Sequence, residues 1–187
     1  MSELKSKNLV NPKFLSTYLK PGFMIPDREV YLLSDVAVEE LDEEGIEGVI
    51  FDVDNLLFLP GEFHVAKSVE PAFQRIISTF PSCIISNTDN ERRAKLTEYF
   101  LENHNLYVVQ SDIPKPHPEP FHEALKYLGT KPGKTAMFGD RIITDVAGAN
   151  SVGLYSIKVE PLDLESERLR IRFARWLEDC CYRALTR

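Results

Sequence analysis

The chain has 187 residues, 43% hydrophobic and 27% charged, which is enough for one domain with a real core and short for two. A formal net charge of −7 argues against wholesale wrapping of nucleic acid, and no nucleic-acid partner is expected. The apolar runs are strand-sized, far below the roughly 20 residues of a membrane span, and Cys83, Cys180 and Cys181 make neither a disulfide framework nor a zinc spacing.

The first residues, MSELKSKNLV, show neither the apolar block of a secretory signal nor an Arg-rich transit pattern, so a cytoplasmic setting is expected. Residues 8–30 mix apolar residues with Pro12, Pro21 and Pro26, which reads as an irregular arm or short helix within an N-terminal arm, 1–44. The acidic stretch Asp35 to Glu47 leads into Gly48-Val49-Ile50-Phe51, a continuous apolar run that predicts a strand buried on both faces. A helix is predicted from about Val69 to Thr79, then a strand at Cys83-Ile84-Ile85, with Cys83 a small core residue. The turn Ser86 to Asn90 precedes a helix starting at Glu91, for which Asp89 and Asn90 are caps. Leu106 to Val109 is the next strand, followed by a Pro-rich turn and a helix around Glu119 to Leu128. Thr135 to Phe138 is a strand, a helix runs through Val146 to Ala149, and Leu154 to Val159 is the last strand.

Strands alternating with helices imply right-handed crossovers, hence an α/β, Rossmann-like three-layer sandwich around a central parallel sheet. Its core is assigned to residues 45–160, with a C-terminal helix, 161–187, packed on it. From Glu165 to Arg187 that helix carries six arginines against four acids, and Leu169, Phe173, Trp176, Leu177 and Cys180 fall at helical spacing. The expectation is that this apolar stripe packs on the sheet with the arginines in water. A helix lying in a lipid interface is the alternative. The apolar arm residues Phe14, Leu15, Tyr18, Leu19 and Phe23-Met24-Ile25 could likewise clasp the domain or touch lipid.

In parallel sheets chemistry collects at the carboxyl ends of the strands, and the polar residues fall there. The first strand is followed by Asp52-Val53-Asp54-Asn55, the second by Ser86-Asn87, the third by Lys115-Pro116, and the fourth by Gly139-Asp140-Arg141-Ile142-Ile143-Thr144-Asp145. Converging carboxylates suit Mg²⁺, a hard cation that shares its coordination between protein oxygens and a phosphate. A carboxylate attacking a phosphate dianion needs its repulsion cancelled, which Mg²⁺ and a lysine can do. A carboxylate nucleophile divides hydrolysis into two steps, and a second carboxyl can move the proton in both. Alternation along an extended strand suits the pairing of Asp52 with Asp54.

This ordered series resembles the haloacid dehalogenase superfamily of phosphohydrolases, over roughly residues 45–160. The resemblance implies that Asp52 is nucleophile and metal ligand, and that Asp54 is the acid/base and lends its main-chain carbonyl to the metal. It implies that Ser86 and Asn87 bind the phosphoryl oxygens, that Lys115 neutralises phosphate and nucleophile, and that Asp140 completes the metal site. Asp145 would ligate through water or hold Lys115. The sequence departs from the pattern at Leu56, where the superfamily often has Thr.

About 30 residues separate Asp54 from Ser86, and Ser86 from Lys115, which leaves no room for a large cap domain. An open site suits a bulky substrate. The closer resemblance is to the capless subfamily IIIA, in the branch with DxDN at Asp52–Asn55, Asn-Glu-Arg-Arg at Asn90–Arg93 and GDRxxTDV at Gly139–Val146. That branch includes phosphatidylglycerophosphate phosphatases, so a phosphorylated lipid at a membrane surface is the leading substrate, with peripheral attachment of the protein. The rivals are a phosphoprotein, nucleotide or sugar phosphate as substrate, a non-catalytic scaffold with a degenerate phosphatase fold, and a phospho-acceptor signalling domain. The last normally carries its acceptor on a later strand than its metal-binding acids.

Overall fold

The structure, a computed structural model, describes residues 17, 20–167 and 169–185. Phe14, Leu15, Tyr18 and Leu19 of the expected clasp lie outside the described residues. A six-stranded, wholly parallel sheet forms the centre: β1 (Arg28–Val30), β2 (Gly48–Phe51), β3 (Ser82–Ile84), β4 (Tyr107–Val108), β5 (Thr135–Gly139) and β6 (Tyr155–Val159). Their order is β1-β6-β5-β2-β3-β4. The chain steps from β2 through β3 to β4, then crosses back to β5 on the other side of β2. The topological switch point, where open sheets bind ligands, therefore falls between β2 and β5.

Every residue of β2 and β5 is buried, as a strand covered on both faces requires. Phe51 of β2 stacks on Phe138 of β5 at 5.2 Å and meets the edge of Phe73 at 5.1 Å, so the strands that carry the site rest on one aromatic cluster. Phe73 comes from α3 (Glu70–Thr79), which has Pro71 in its first turn. Ahead of it lie the short helices α1 (Pro21–Met24) and α2 (Val38–Glu43). Helix α4 (Asn90–His104) is capped by Asp89, whose carboxylate accepts from the Arg92 amide at 2.8 Å. Helix α5 (Pro118–Leu128) begins on a proline and stops at Gly129, in the left-handed region at φ 70°. No large cap domain interrupts the sheet; between β2 and β3, and between β3 and β4, lie only loops and the single helices α3 and α4.

Three segments differ from the sequence reading. Residues 28–30, expected in an irregular arm, form the edge strand β1 in register with Ile157–Val159. Cross-bonds fix it: the Asp27 amide donates to Ser156 Oγ at 3.1 Å, and the Ser156 amide donates to Asp27 Oδ2 at 2.8 Å. The helix expected through Val146–Ala149 divides into a π-helix, Ile142–Ala147, and the short α6 (Gly148–Ser151). Such wide turns recur at functional sites, and this one carries Asp145.

The third difference is the orientation of α7 (Leu169–Leu185), which reverses the expected packing. Leu169, Phe173, Trp176 and Leu177 are exposed, whereas Arg175 and Glu178 are buried. The physical reason is a set of ion pairs. Arg175 bonds Asp140 and Glu167, and Arg141 pairs with Glu178, so the charged face is the one drawn into the domain.

Candidate active site

Four of the residues singled out by sequence meet at the carboxyl ends of β2 and β5. Asp52 directly follows β2, and its amide donates to Phe138 O at 2.9 Å, which aligns it with the end of β5. Lys115, 1% exposed, reaches in from the loop after β4. Its Nζ donates to Asp52 Oδ1 and to Asp145 Oδ1, both at 2.7 Å, and to Ile85 O at 3.3 Å. Asp145 comes within reach because Gly139 has no side chain: a Cβ there would stand 2.2 Å from that of Asp145. The other oxygen of Asp145 accepts from the Arg141 amide at 3.0 Å.

Asp52, Asp140 and Asp145 are all buried, with one ligand oxygen from each lying within 4.8 Å of the others. Asp140 Oδ2 accepts from Arg175 at 2.6 Å, and its Oδ1 is buried without a hydrogen-bond partner. An orphaned carboxylate oxygen among three hard donors fits a small divalent cation. The charges point the same way, since three buried carboxylates face the two cations Lys115 and Arg175. Burial pushes Asp52 up to about 8 against the pull of Lys115, with the carboxylates of Asp145, Asp140 and Asp54 adding to the rise. Burial likewise raises Asp140 to about 6, opposed by Arg175. Lys115, held between two carboxylates, keeps its proton.

The remaining predicted residues sit around this cluster in different ways. Asp54 lines the same cleft but is half-exposed, and Arg92 clamps it with two bonds of 2.5 and 2.7 Å. Ser86 Oγ is buried without a partner. Asn87 also lines the cleft. Its amide is spent on the main chain of Lys115, donating to the carbonyl at 2.9 Å and accepting from the N–H at 2.8 Å. It therefore fixes where the lysine starts. Leu56 is buried in the main apolar core and brings no hydroxyl to the first motif.

Sequence reasoning missed Arg92, Glu167 and Arg175. Asn55 organises two of them. It occupies the left-handed region at φ 61°, which asparagine tolerates, and its amide donates to Asp163 O and Glu167 Oε1 at 2.8 Å each. Glu167 then receives Arg175, which holds Asp140. No local pattern marks this relay, because Asn55 lies more than 100 residues from Asp163 and Glu167 along the chain. Arg92 had a weak signal in the Asn90–Arg93 motif. The cleft, of about 900 Å³, is bordered by Asp52, Asp54, Lys115, Asp140, Arg92 and Arg141 on the domain side, and by Ser166, Glu167, Arg170 and Ile171 toward α7.

A capless parallel sheet in this strand order is the fold of a haloacid dehalogenase-type hydrolase. A haloacid dehalogenase-like hydrolase from Xanthomonas campestris superimposes with a TM-score of 0.50 at 11% identity, over 76% of this chain and 98% of that one. Residues 11–161 match the family described as mitochondrial PGP phosphatase, and the chain belongs to that family. It is thus a phosphatase of the haloacid dehalogenase superfamily, a phosphoric monoester hydrolase. The probable phosphatase YqeG of Bacillus subtilis is 28% identical over 88% of this chain and 93% of its own length. A chloroplastic/mitochondrial phosphatidylglycerophosphate phosphatase 1 of Arabidopsis thaliana is 28% identical over 83% of this chain, which spans 46% of that relative's length.

Proposed function

We propose that the protein is a Mg²⁺-dependent phosphomonoesterase that works through a phospho-aspartyl intermediate on a lipid phosphate of the phosphatidylglycerophosphate type. The observation that carries the chemistry is Lys115 buried between Asp52 and Asp145, beside the unpartnered oxygen of Asp140. The family match over residues 11–161 and the capless cleft support the lipid.

In this reading Asp52 attacks phosphorus while the bond to the leaving oxygen breaks, and Asp54 gives that oxygen its proton. Water then attacks the acyl phosphate and passes a proton to Asp54, which releases inorganic phosphate and restores both residues. Lys115 carries positive charge against the phosphoryl oxygens throughout, and Ser86 Oγ donates to one of them. Asp52, Asp140 and Asp145, with the Asp54 carbonyl, hold Mg²⁺, which supplies the charge that offsets repulsion between carboxylate and phosphate. Arg92 holds Asp54 until substrate arrives. Drawn toward the substrate's phosphate, it frees that carboxyl to exchange a proton. A substrate with a second, diester phosphate would meet Arg141 and Arg170 along the cleft.

The test is phosphate release from phosphatidylglycerophosphate in mixed micelles, with Mg²⁺ and with chelator, beside a small aryl phosphate. Fast Mg²⁺-dependent release from the lipid supports the proposal. Release from the aryl ester alone keeps the phosphatase and removes the lipid.

The metal site predicts a pH dependence. Asp52 and Asp140 are raised to about 8 and about 6, from about 4 in an unfolded chain. Between these limits the folded metal-free protein binds more protons than the unfolded one, so its stability falls as pH rises. Mg²⁺ displaces those protons and binds more tightly at higher pH. In thermal unfolding the metal-free Tm should therefore drop between mildly acidic and mildly alkaline buffer, and the rise on adding Mg²⁺ should be larger in the alkaline one. An equal rise in both buffers would place the metal elsewhere.

A further inference from the structure

An amphipathic helix on a globular domain ordinarily turns its apolar side inward. In α7 the ion pairs of Arg175 and Glu178 hold the charged side inward, and Leu169, Phe173, Trp176 and Leu177 stand 80%, 60%, 57% and 44% exposed. With exposed Cys180 these residues follow at i, i+4, i+7, i+8 and i+11, a single stripe along the helix. Phe173 and Trp176 stack on each other at 5.8 Å. A contiguous apolar and aromatic stripe of this kind marks an interaction surface.

Its margins define the partner. At the helical period the exposed Arg170 flanks one side of the stripe, and the exposed Arg172 and Arg183 flank the other. Asp179 is the only acid on this border among the described residues, although the chain as a whole carries −7. Aromatic rings in the middle with arginines along the edges match a bilayer interface, where rings enter the acyl boundary and guanidinium groups stay among anionic headgroups. Arg170 also borders the cleft, so a surface against this stripe lies alongside the site.

We propose that the outward face of α7 docks the protein on an anionic bilayer. Its bearing on catalysis rests on the lipid-substrate reading above, but the binding itself does not.

The chain's single tryptophan, Trp176, reports directly on this face. Full-length protein is titrated with phosphatidylcholine vesicles, with and without phosphatidylglycerol, following Trp emission and co-sedimentation. The proposal expects a blue shift and sedimentation with the anionic vesicles, weakened by salt and by omitting the anionic lipid. Phe173→Ser with Leu177→Ser should lower partitioning at least ~10-fold through lost apolar burial. Hydrolysis of an aryl phosphate should be unchanged, because neither residue lines the cleft. Emission that ignores anionic vesicles overturns the proposal. Emission already blue-shifted without lipid overturns it too, assigning the face to a second copy if light scattering gives a dimer, or to another segment of this chain if it gives a monomer. Vesicle binding without hydrolysis of phosphatidylglycerophosphate keeps the surface and removes the lipid substrate; hydrolysis in micelles without vesicle binding does the reverse.

Discussion

Asp52→Asn should lower phosphate release from any substrate by at least ~10⁴-fold, as loss of a covalent nucleophile does. The substitution keeps volume nearly constant in a buried position, and Lys115 retains Asp145 at 2.7 Å. It also removes one of three crowded carboxylates, the one that burial and its neighbours push up to about 8. The metal-free variant is therefore expected to melt at the same temperature as the parent or higher, while its response to Mg²⁺ weakens. Phosphate release and melting in chelator, measured on one preparation, separate lost chemistry from lost fold. Activity close to the parent's would remove Asp52 as nucleophile.

Lys115→Met should damage both fold and function. The lysine is 1% exposed and bonds Asp52 and Asp145 together, so in buffer alkaline enough to ionise Asp52 its removal leaves two buried carboxylates without their shared cation. Breaking a buried pair from one side costs about 3–5 kcal/mol, a large share of a domain's stability. Activity should fall a further ~10³-fold in whatever remains folded, because charge stabilisation at the phosphoryl group is lost. Urea unfolding in chelator gives the first quantity. Adding Mg²⁺ should restore part of the loss, since the metal supplies positive charge to the same oxygens. A variant as stable as the parent in chelator would mean that Asp52 and Asp145 are not both ionised beside Lys115.

The sheet was legible because its strands are short apolar runs closed by polar residues, and α4 because its cap is explicit at Asp89. Asp52 and Asp140 were legible as candidates because each directly follows a strand, and Lys115 and Asp145 because they lie in the segments that leave β4 and β5, positions that local pattern alone locates. Strand β1 was missed because Arg28-Glu29-Val30 has no apolar run; its stability comes from pairing with Ile157–Val159 and from the Asp27–Ser156 bonds. The engagement of Asn87 with Lys115 also escaped the sequence, since it joins residues 28 positions apart.

The contrast is sharpest in α7. Sequence alone determined that the stretch from Glu165 to Arg187 holds an amphipathic helix, because periodicity is a property of the segment itself. It could not determine which face turns inward, because that depends on what the helix meets. Tertiary structure decided it by placing Asp140, Glu167 and Arg141 against the charged side, where Arg175 and Glu178 find partners that no apolar neighbour could supply. The same holds for the site. The sequence supplied its carboxylates and its lysine, and the crossover from β4 to β5 brought them to one point beside β2, where Lys115 bridges Asp52 and Asp145 and Arg175 holds Asp140.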